Sequence, residues 1–287
     1  MSRWTHAHTR GRLPSRGGEN AFTLVELLAV LAIIGIVMAL LLPTFSSSKA
    51  KAQGLYCLKN LRQLQLGWAM YADEHQDHLP GVIGGSSPGP GVWVSGWMDF
   101  SSSPDNTNTL YLTDRRFSQL GPYDVPARVY RCPADRSTVT IGGSVFPRVR
   151  SMSMNCWMNY LGTIPIGQDK YRIFRKTGDI VDPPPSKAWV FMDEREDSIN
   201  DGLFQTNLKG RGKLAKIVDY PASYHTRAAG ISFADGHAEI KRWHDRRTTP
   251  ALRSNQAIQL DVPSPDNPDV AWLQEHSSSP KIGRAHV

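Results

Sequence analysis

An unbroken apolar block near the start of the chain constrains it more than any other feature. Residues 22–42 read FTLVELLAVLAIIGIVMALLL, closed by Pro43, and no residue from Leu27 to Leu42 is charged or strongly polar. About 20 such residues are enough to carry a helix across a bilayer. The one acid in the block, Glu26, lies toward its N-terminal end. A carboxylate there either sits shallow enough to be solvated or has a partner and a role.

The stretch AFTLVELLAVLAIIGIVMALLLP resembles the N-terminus of the type IV pilin and type II secretion pseudopilin superfamily. That pattern is a basic leader, a small residue, then Phe-Thr-Leu-x-Glu entering an apolar helix with a proline further on. The resemblance runs from Arg16 to Pro43. It implies that Ala21 precedes a processing cut and that Phe22 becomes the mature, N-methylated first residue. It makes Glu26 the signature acid and Pro43 a helix-bending proline. The family normally carries Gly before the cut, where this chain has Ala21. The resemblance further implies a prepilin peptidase and N-methyltransferase, other pilin-like subunits, an inner-membrane assembly platform and membrane lipid as partners.

Cutting before Phe22 would free an α-amino group four residues from Glu26, about one helical turn away. In an apolar setting the amine and carboxylate would pair, within one chain or between neighbours, because an unpaired buried charge is far costlier than a paired one. A subunit whose Glu26 is satisfied by the next subunit's N-terminus has a reason to assemble in register.

The net charge of +7 invites a nucleic-acid reading. Much of it is peripheral: Arg3, Arg10, Arg12 and Arg16 against Glu19 give residues 1–21 a net +3. With Lys281 and Arg284 also set aside, the body is close to neutral, and no general nucleic-acid-binding field is expected. The leader is basic and irregular, and no secretory A-x-A site follows the block. The expected placement is a single-pass inner-membrane protein with its body in the periplasm, or outside the cell within a filament.

Beyond the block, Leu55, Leu58, Leu61, Leu64, Trp68 and Tyr71 recur at steps of three and four, an amphipathic stripe. The spacing predicts one long helix, bent near Pro43 and running to about Asp73, its first half in the membrane and its second packed on a globular domain. Val92-Trp93-Val94 reads as a short strand, Thr109–Leu120 as a short helix, and Val129–Pro133 as a strand entering a turn. Ala188–Met192 is a buried strand, and Val270–Leu273 a last helical turn. Asp235-Gly236 between two alternating runs, Gly230–Ala234 and His237–Trp243, is the strongest hairpin signal. The fold class is α+β: a long bent N-terminal helix against an antiparallel sheet, pilin-like. Residues 1–21 form the leader, 22–43 the transmembrane and assembly helix, 44–78 its amphipathic continuation, and 79–280 the globular domain. Residues 281–287 resemble translated sequencing adapter and are expected to be a non-native tail.

Asp193, Glu194, Glu196, Asp197 and Asp201 crowd one loop after a strand. Hard oxygens at irregular spacing suit Ca²⁺, with Asp193, Glu194, Asp197 and Asp201 as ligands. The competing expectation is a solvated acidic loop answered by Arg195, Arg227 and the basic face of the hairpin. His225, nine residues, then Asp235-Gly236 resembles the His-x9-Asp-Gly element of pilin-like proteins abundant in planctomycete- and verrucomicrobia-type bacteria. Its expected role is structural, with His225 bonded to the turn at Asp235 and Gly236. Ser223 with His225 and Asp235 lacks a nucleophile elbow, so no catalytic residue is expected. Glu74, His75 and His78 lack the spacing of a zinc motif and read as a polar helix end. Trp93 and Trp97 could form a sugar platform, but aromatic strand residues belong more often to a core. Cys57, Cys132 and Cys156, exported to an oxidising compartment, give one disulfide and one free thiol, the pairing unreadable and Cys132 its favoured member.

The sequence therefore points to a non-enzymatic structural subunit of a type IV pilus-like or type II secretion pseudopilus filament. The alternative is an exported glycan-binding or polymer-degrading domain that borrows a pilin-type anchor. DNA capture would need a basic patch that the near-neutral body does not advertise.

Overall fold

Helix α1 runs Leu24–Glu74 and crosses the boundary between two units of the chain, Met1–Ser47 and Ser48–Val287. The structure, a computed structural model, describes residues 23–85, 89–162 and 170–281, with the backbone alone described for 40–47.

In the first unit, every described side chain from Thr23 to Ala39 is exposed. Leu24 and Val25 are each 73 % exposed, and Ile33 and Ile36 are nearly as open. The helix opens on a reciprocal cap: Thr23 N–H and Oγ1–H donate to Glu26 Oε2 at 2.9 and 2.8 Å, and Glu26 N–H donates to Thr23 Oγ1 at 3.2 Å. This is the S/T-x-x-E capping box, which satisfies donors that a helix start leaves without partners. Among the described residues, no helix is long and apolar enough to cross a membrane.

In the second unit, α1 buries Gly54, Cys57, Leu61, Leu64, Gln65, Trp68 and Tyr71, a stripe of three- and four-residue steps. The stripe enters the core through Cys57, while Leu55 stays 69 % exposed and Leu58 only half-buried. Gly67 is part of the fit, because a Cβ there would lie 2.9 Å from Val125 Cγ2. The helix ends in left-handed backbone at Gln76 and Asp77, where Asp77 N–H donates to Ala72 O at 2.9 Å, before Leu79-Pro80-Gly81 is reached.

The helix packs on a five-stranded sheet. In chain order the strands of this unit are β1 Thr138–Ile141, β2 Ser144–Pro147, β3 Met152–Asn155, β4 Trp189–Asp193 and β5 Leu203–Phe204. They continue as β6 Lys216–Ile217, β7 Ala228–Phe233, β8 Ala238–Arg242 and β9 Val262–Pro263, with helices α2 Leu110–Thr113 and α3 Pro268–Ser277. The main sheet has the order β5-β3-β4-β7-β8, antiparallel except for the parallel β3–β5 edge; β1–β2 and β6–β9 are separate pairs. The all-antiparallel sheet expected from the sequence is thus mixed at one edge. β4 is buried along its whole length, as a central strand covered on both faces should be. A register shift between Trp189 and Met192 puts both in the cluster around Leu273 of α3, while Val190 and Phe191 join the cluster around Leu61 and Trp68 of α1. The order of layers is α1, sheet, α3.

At Gly230 of β7, a Cβ would lie 2.6 Å from Leu61 Cδ1 and 2.8 Å from Cys57 Sγ, so glycine sets how closely helix and sheet approach. Ser232 of the same strand donates to Gln65 Oε1 at 3.0 Å. The β7–β8 hairpin turns at Asp235-Gly236, with Gly236 at φ 94°. Three expected elements differ. Val129–Pro133 is no strand, because a 3-10 turn over Ala127–Tyr130 buries Val129 and Tyr130. Val92–Val94 joins no sheet: Trp93 fills the core, donating its indole N–H to Gly202 O at 2.7 Å. The helix expected over Thr109–Leu120 is one turn, Leu110–Thr113.

Candidate functional site

The acidic loop that follows β4 is buried rather than solvated. Its carboxylates do not gather around one point; each has its own donors. Glu194 accepts from Ser153 Oγ and Ser198 Oγ, both at 2.6 Å, and burial pushes its pKa up to about 8. Asp197 is chelated by the Arg195 guanidinium and accepts from Arg253 N–H at 2.9 Å. Asp201 accepts from Gly85 N–H and Leu203 N–H, both at 2.9 Å.

The cations of the loop come partly from the segment that leads into β3. Arg150, fully buried, donates to Asp201 O at 2.6 Å, Met152 O at 3.2 Å and Gly96 O at 3.3 Å. Burial pulls its pKa down to about 10, which still leaves it charged at neutral pH, and the carboxylates of Asp201 and Glu194 oppose the shift. Arg148 donates to Glu196 O at 2.6 Å and Ile199 O at 3.2 Å. Arg227, one of the expected partners, turns instead to Thr249 Oγ1 and His244 O, at 3.1 Å each.

Asp193 leaves the expected calcium set and faces the other way. Its Oδ1 accepts from Ser151 Oγ at 2.7 Å, and its Oδ2 lies 3.8 Å from Cys57 Sγ and 4.0 Å from His225 Nε2. His225 Nε2 is in turn 3.3 Å from Cys132 Sγ. His225 therefore does not bond the hairpin turn: Asp235 Oδ1 instead meets His237 Nδ1 at 2.6 Å, at the far end of β7. The length of that strand also separates Asp235 from a Ser223–His225 pair. All three cysteines are free and buried, and Cys156 stands apart from the other two.

The electrostatics of this group follow from burial. The Cys132 sulfur pulls the Cys57 thiol pKa down, while burial and the Asp193 carboxylate push it up, with a net rise. Burial and then Cys57 push Cys132 up. Burial and then Cys132 hold Asp193 well above the carboxylate range, and burial lowers His225.

Other candidates resolve into structural roles. Glu74 accepts from Tyr123 Oη at 2.7 Å, and His75 stacks on Tyr71. Trp93 stacks with Tyr130 in the core and is closed to a sugar. Ala21 and Phe22 lie outside the described residues, as does the side chain of Pro43 and the tail from residue 282 on. The capping role of Thr23 and the links through Ser151 and Gly230 were missed in the sequence reading. For Thr23 the signal was present, as Thr-x-x-Glu ahead of an apolar run.

An apolar N-terminal helix joined to an α+β body defines a pilin-like plan. Residues 16–42 match the family model described as the prokaryotic N-terminal methylation motif, consistent with a type IV pilin-like or pseudopilin protein. The match ends before the globular unit and does not bear on the His-x9-Asp-Gly element. Neither the curated proteins nor the solved structures include a match to the chain.

Proposed function

We propose that the chain is a structural subunit of a type IV pilus-like or type II secretion pseudopilus filament. It is cut between Ala21 and Phe22 by a prepilin peptidase, N-methylated, held in the inner membrane and assembled through its N-terminal helix. The reading rests on the methylation motif at residues 16–42 lying over a helical stretch whose described apolar side chains, up to Ala39, are all exposed. Such a surface calls for an apolar occupant. Lipid supplies it before assembly, and neighbouring subunits afterwards.

Glu26 directs the second step. In the uncut chain its carboxylate is occupied by Thr23. Cutting before Phe22 adds a competing amine one turn away, on the same subunit or the next. Glu26→Leu is expected to leave membrane insertion intact and to abolish incorporation into filaments, scored by electron microscopy and co-sedimentation. Wild-type filament yield from Glu26→Leu would contradict the proposed role.

A second reading, an exported glycan-binding domain on a pilin-type anchor, draws on a cavity of about 590 Å³ lined in part by Tyr56, Lys59, Asn60, Arg128 and Arg131. Specific retention of the protein on a polysaccharide, lost when Tyr56 and Arg128 are changed, would favour it.

A further inference from the structure

Four side chains from four separate segments meet inside the globular unit: Cys57 of α1, Cys132 of the loop after the Ala127–Tyr130 turn, Asp193 at the end of β4, and His225 just before β7. We propose that they bind one divalent transition metal, zinc by the chemistry of the donors, and that the metal ties this part of α1 to the sheet. The donor atoms all lie within 4.8 Å of one another, and all four residues are buried.

The spacing is close to that of a tetrahedral site, slightly wider than a bound ion would draw it. Zinc bonds of about 2.3 Å to sulfur and about 2.0–2.1 Å to nitrogen or oxygen imply ligand-to-ligand edges of roughly 3.3–3.8 Å. Here Cys132 Sγ to His225 Nε2 is 3.3 Å, Cys57 Sγ to Asp193 Oδ2 is 3.8 Å, and His225 Nε2 to Asp193 Oδ2 is 4.0 Å. Two sulfurs, an imidazole and a carboxylate suit zinc in a closed site, and the sulfurs disfavour calcium or magnesium.

Charge points the same way. Among the described residues, Asp193 has no arginine or lysine at ion-pair distance, because Arg195 is taken by Asp197 and Arg150 lies with Asp201. A carboxylate buried beside two thiols is costly to ionise without a cation. A dipositive ion answers it, and the two thiol protons and the carboxyl proton of Asp193 leave to solvent as the metal binds.

The surrounding groups are placed as supports for ligands. Ser151 links two of them, donating to Asp193 Oδ1 at 2.7 Å and accepting Cys132 N–H at 2.9 Å. His225 is followed by two non-glycine residues in left-handed backbone, Thr226 and Arg227, each at φ 61°. Such backbone is costly for a β-branched residue such as Thr226. A cavity of about 410 Å³ lined by Ala50, Gly54, His225 and Thr226 adjoins the group at His225.

The rival is a Cys57–Cys132 disulfide, which would leave the inward-facing His225 and Asp193 without a purpose. The full-length chain, purified in detergent from zinc-supplemented cells, is expected to carry about one zinc per molecule by elemental mass spectrometry. Replacement by Co²⁺ is expected to give the visible spectrum of a tetrahedral thiolate site. Cys57→Ser combined with His225→Gln brings the metal to trace, and Ser151→Ala weakens zinc affinity roughly 10–100-fold. Because ligand changes can unfold a protein for other reasons, the wild type is also alkylated before and after chelation: Cys57 and Cys132 should react only afterwards. Wild-type protein without metal, a Cys57–Cys132 disulfide in its peptide map, or zinc retained by the double variant would each overturn the proposal.

Discussion

Arg150→Met is expected to remove about 3–5 kcal/mol of unfolding free energy, the usual consequence of deleting one side of a buried charge arrangement. The guanidinium is fully buried, holds three backbone carbonyls and sits among the carboxylates of Asp201 and Glu194. Methionine keeps the bulk and drops the charge, so the loss measures electrostatics rather than a void. Denaturant titration followed by tryptophan fluorescence reads it. Adding Asp201→Asn to Arg150→Met should restore part of the loss, because one stranded charge is removed with its partner.

The pH dependence has a defined sign. Burial raises Asp201 above its ordinary value while Arg150 lowers it, so removing Arg150 raises it further. The folded chain then holds a proton over a range where the unfolded chain has lost it, so stability falls as pH rises through that range. The defect of Arg150→Met is therefore largest at neutral pH and shrinks as the medium becomes acid. A defect that grew in acid would show that the carboxylates are not what Arg150 serves.

Trp68→Ala is the second large effect, about 3–5 kcal/mol. Trp68 is 2 % exposed in the cluster that joins α1 to the sheet. Its indole N–H has no hydrogen-bond partner among the described residues, so its contribution is packing. Trp68→Phe should thus keep most of the stability, and the same denaturant titration separates the two variants. A loss near 0.5 kcal/mol for the alanine variant, the size of a surface substitution, would mean that this half of α1 is not part of the core.

Much of the fold was legible because its signals are local. The step of three and four through Leu61, Leu64 and Trp68, the apolar run of β4 and the Asp235-Gly236 turn each declare an element within a dozen residues. The Gly142-Gly143 turn between β1 and β2, at φ 58° and 82°, carried an equally local signal that went unread. Val129–Pro133 failed for the opposite reason: opening on Val129 and Tyr130, it looks like a strand, yet packing against the core settled it as a tight turn.

The site was far less legible. Cys57 was hidden within a leucine stripe, and the four converging side chains share no spacing, since α1, β4 and β7 meet only in the folded chain. The acidic loop gave no sign that Arg148 and Arg150, from distant chain, would be buried against it. Charge density along a sequence does not distinguish a solvated loop from an internal network.

The assignment as a whole turns on what becomes of the first 21 residues. Intact and peptide mass spectrometry of the protein recovered from its native membrane is expected to find a chain that begins at Phe22, methylated on its α-amino group. A chain that still begins at Met1, or one whose first residue lies beyond Leu42, would contradict the account.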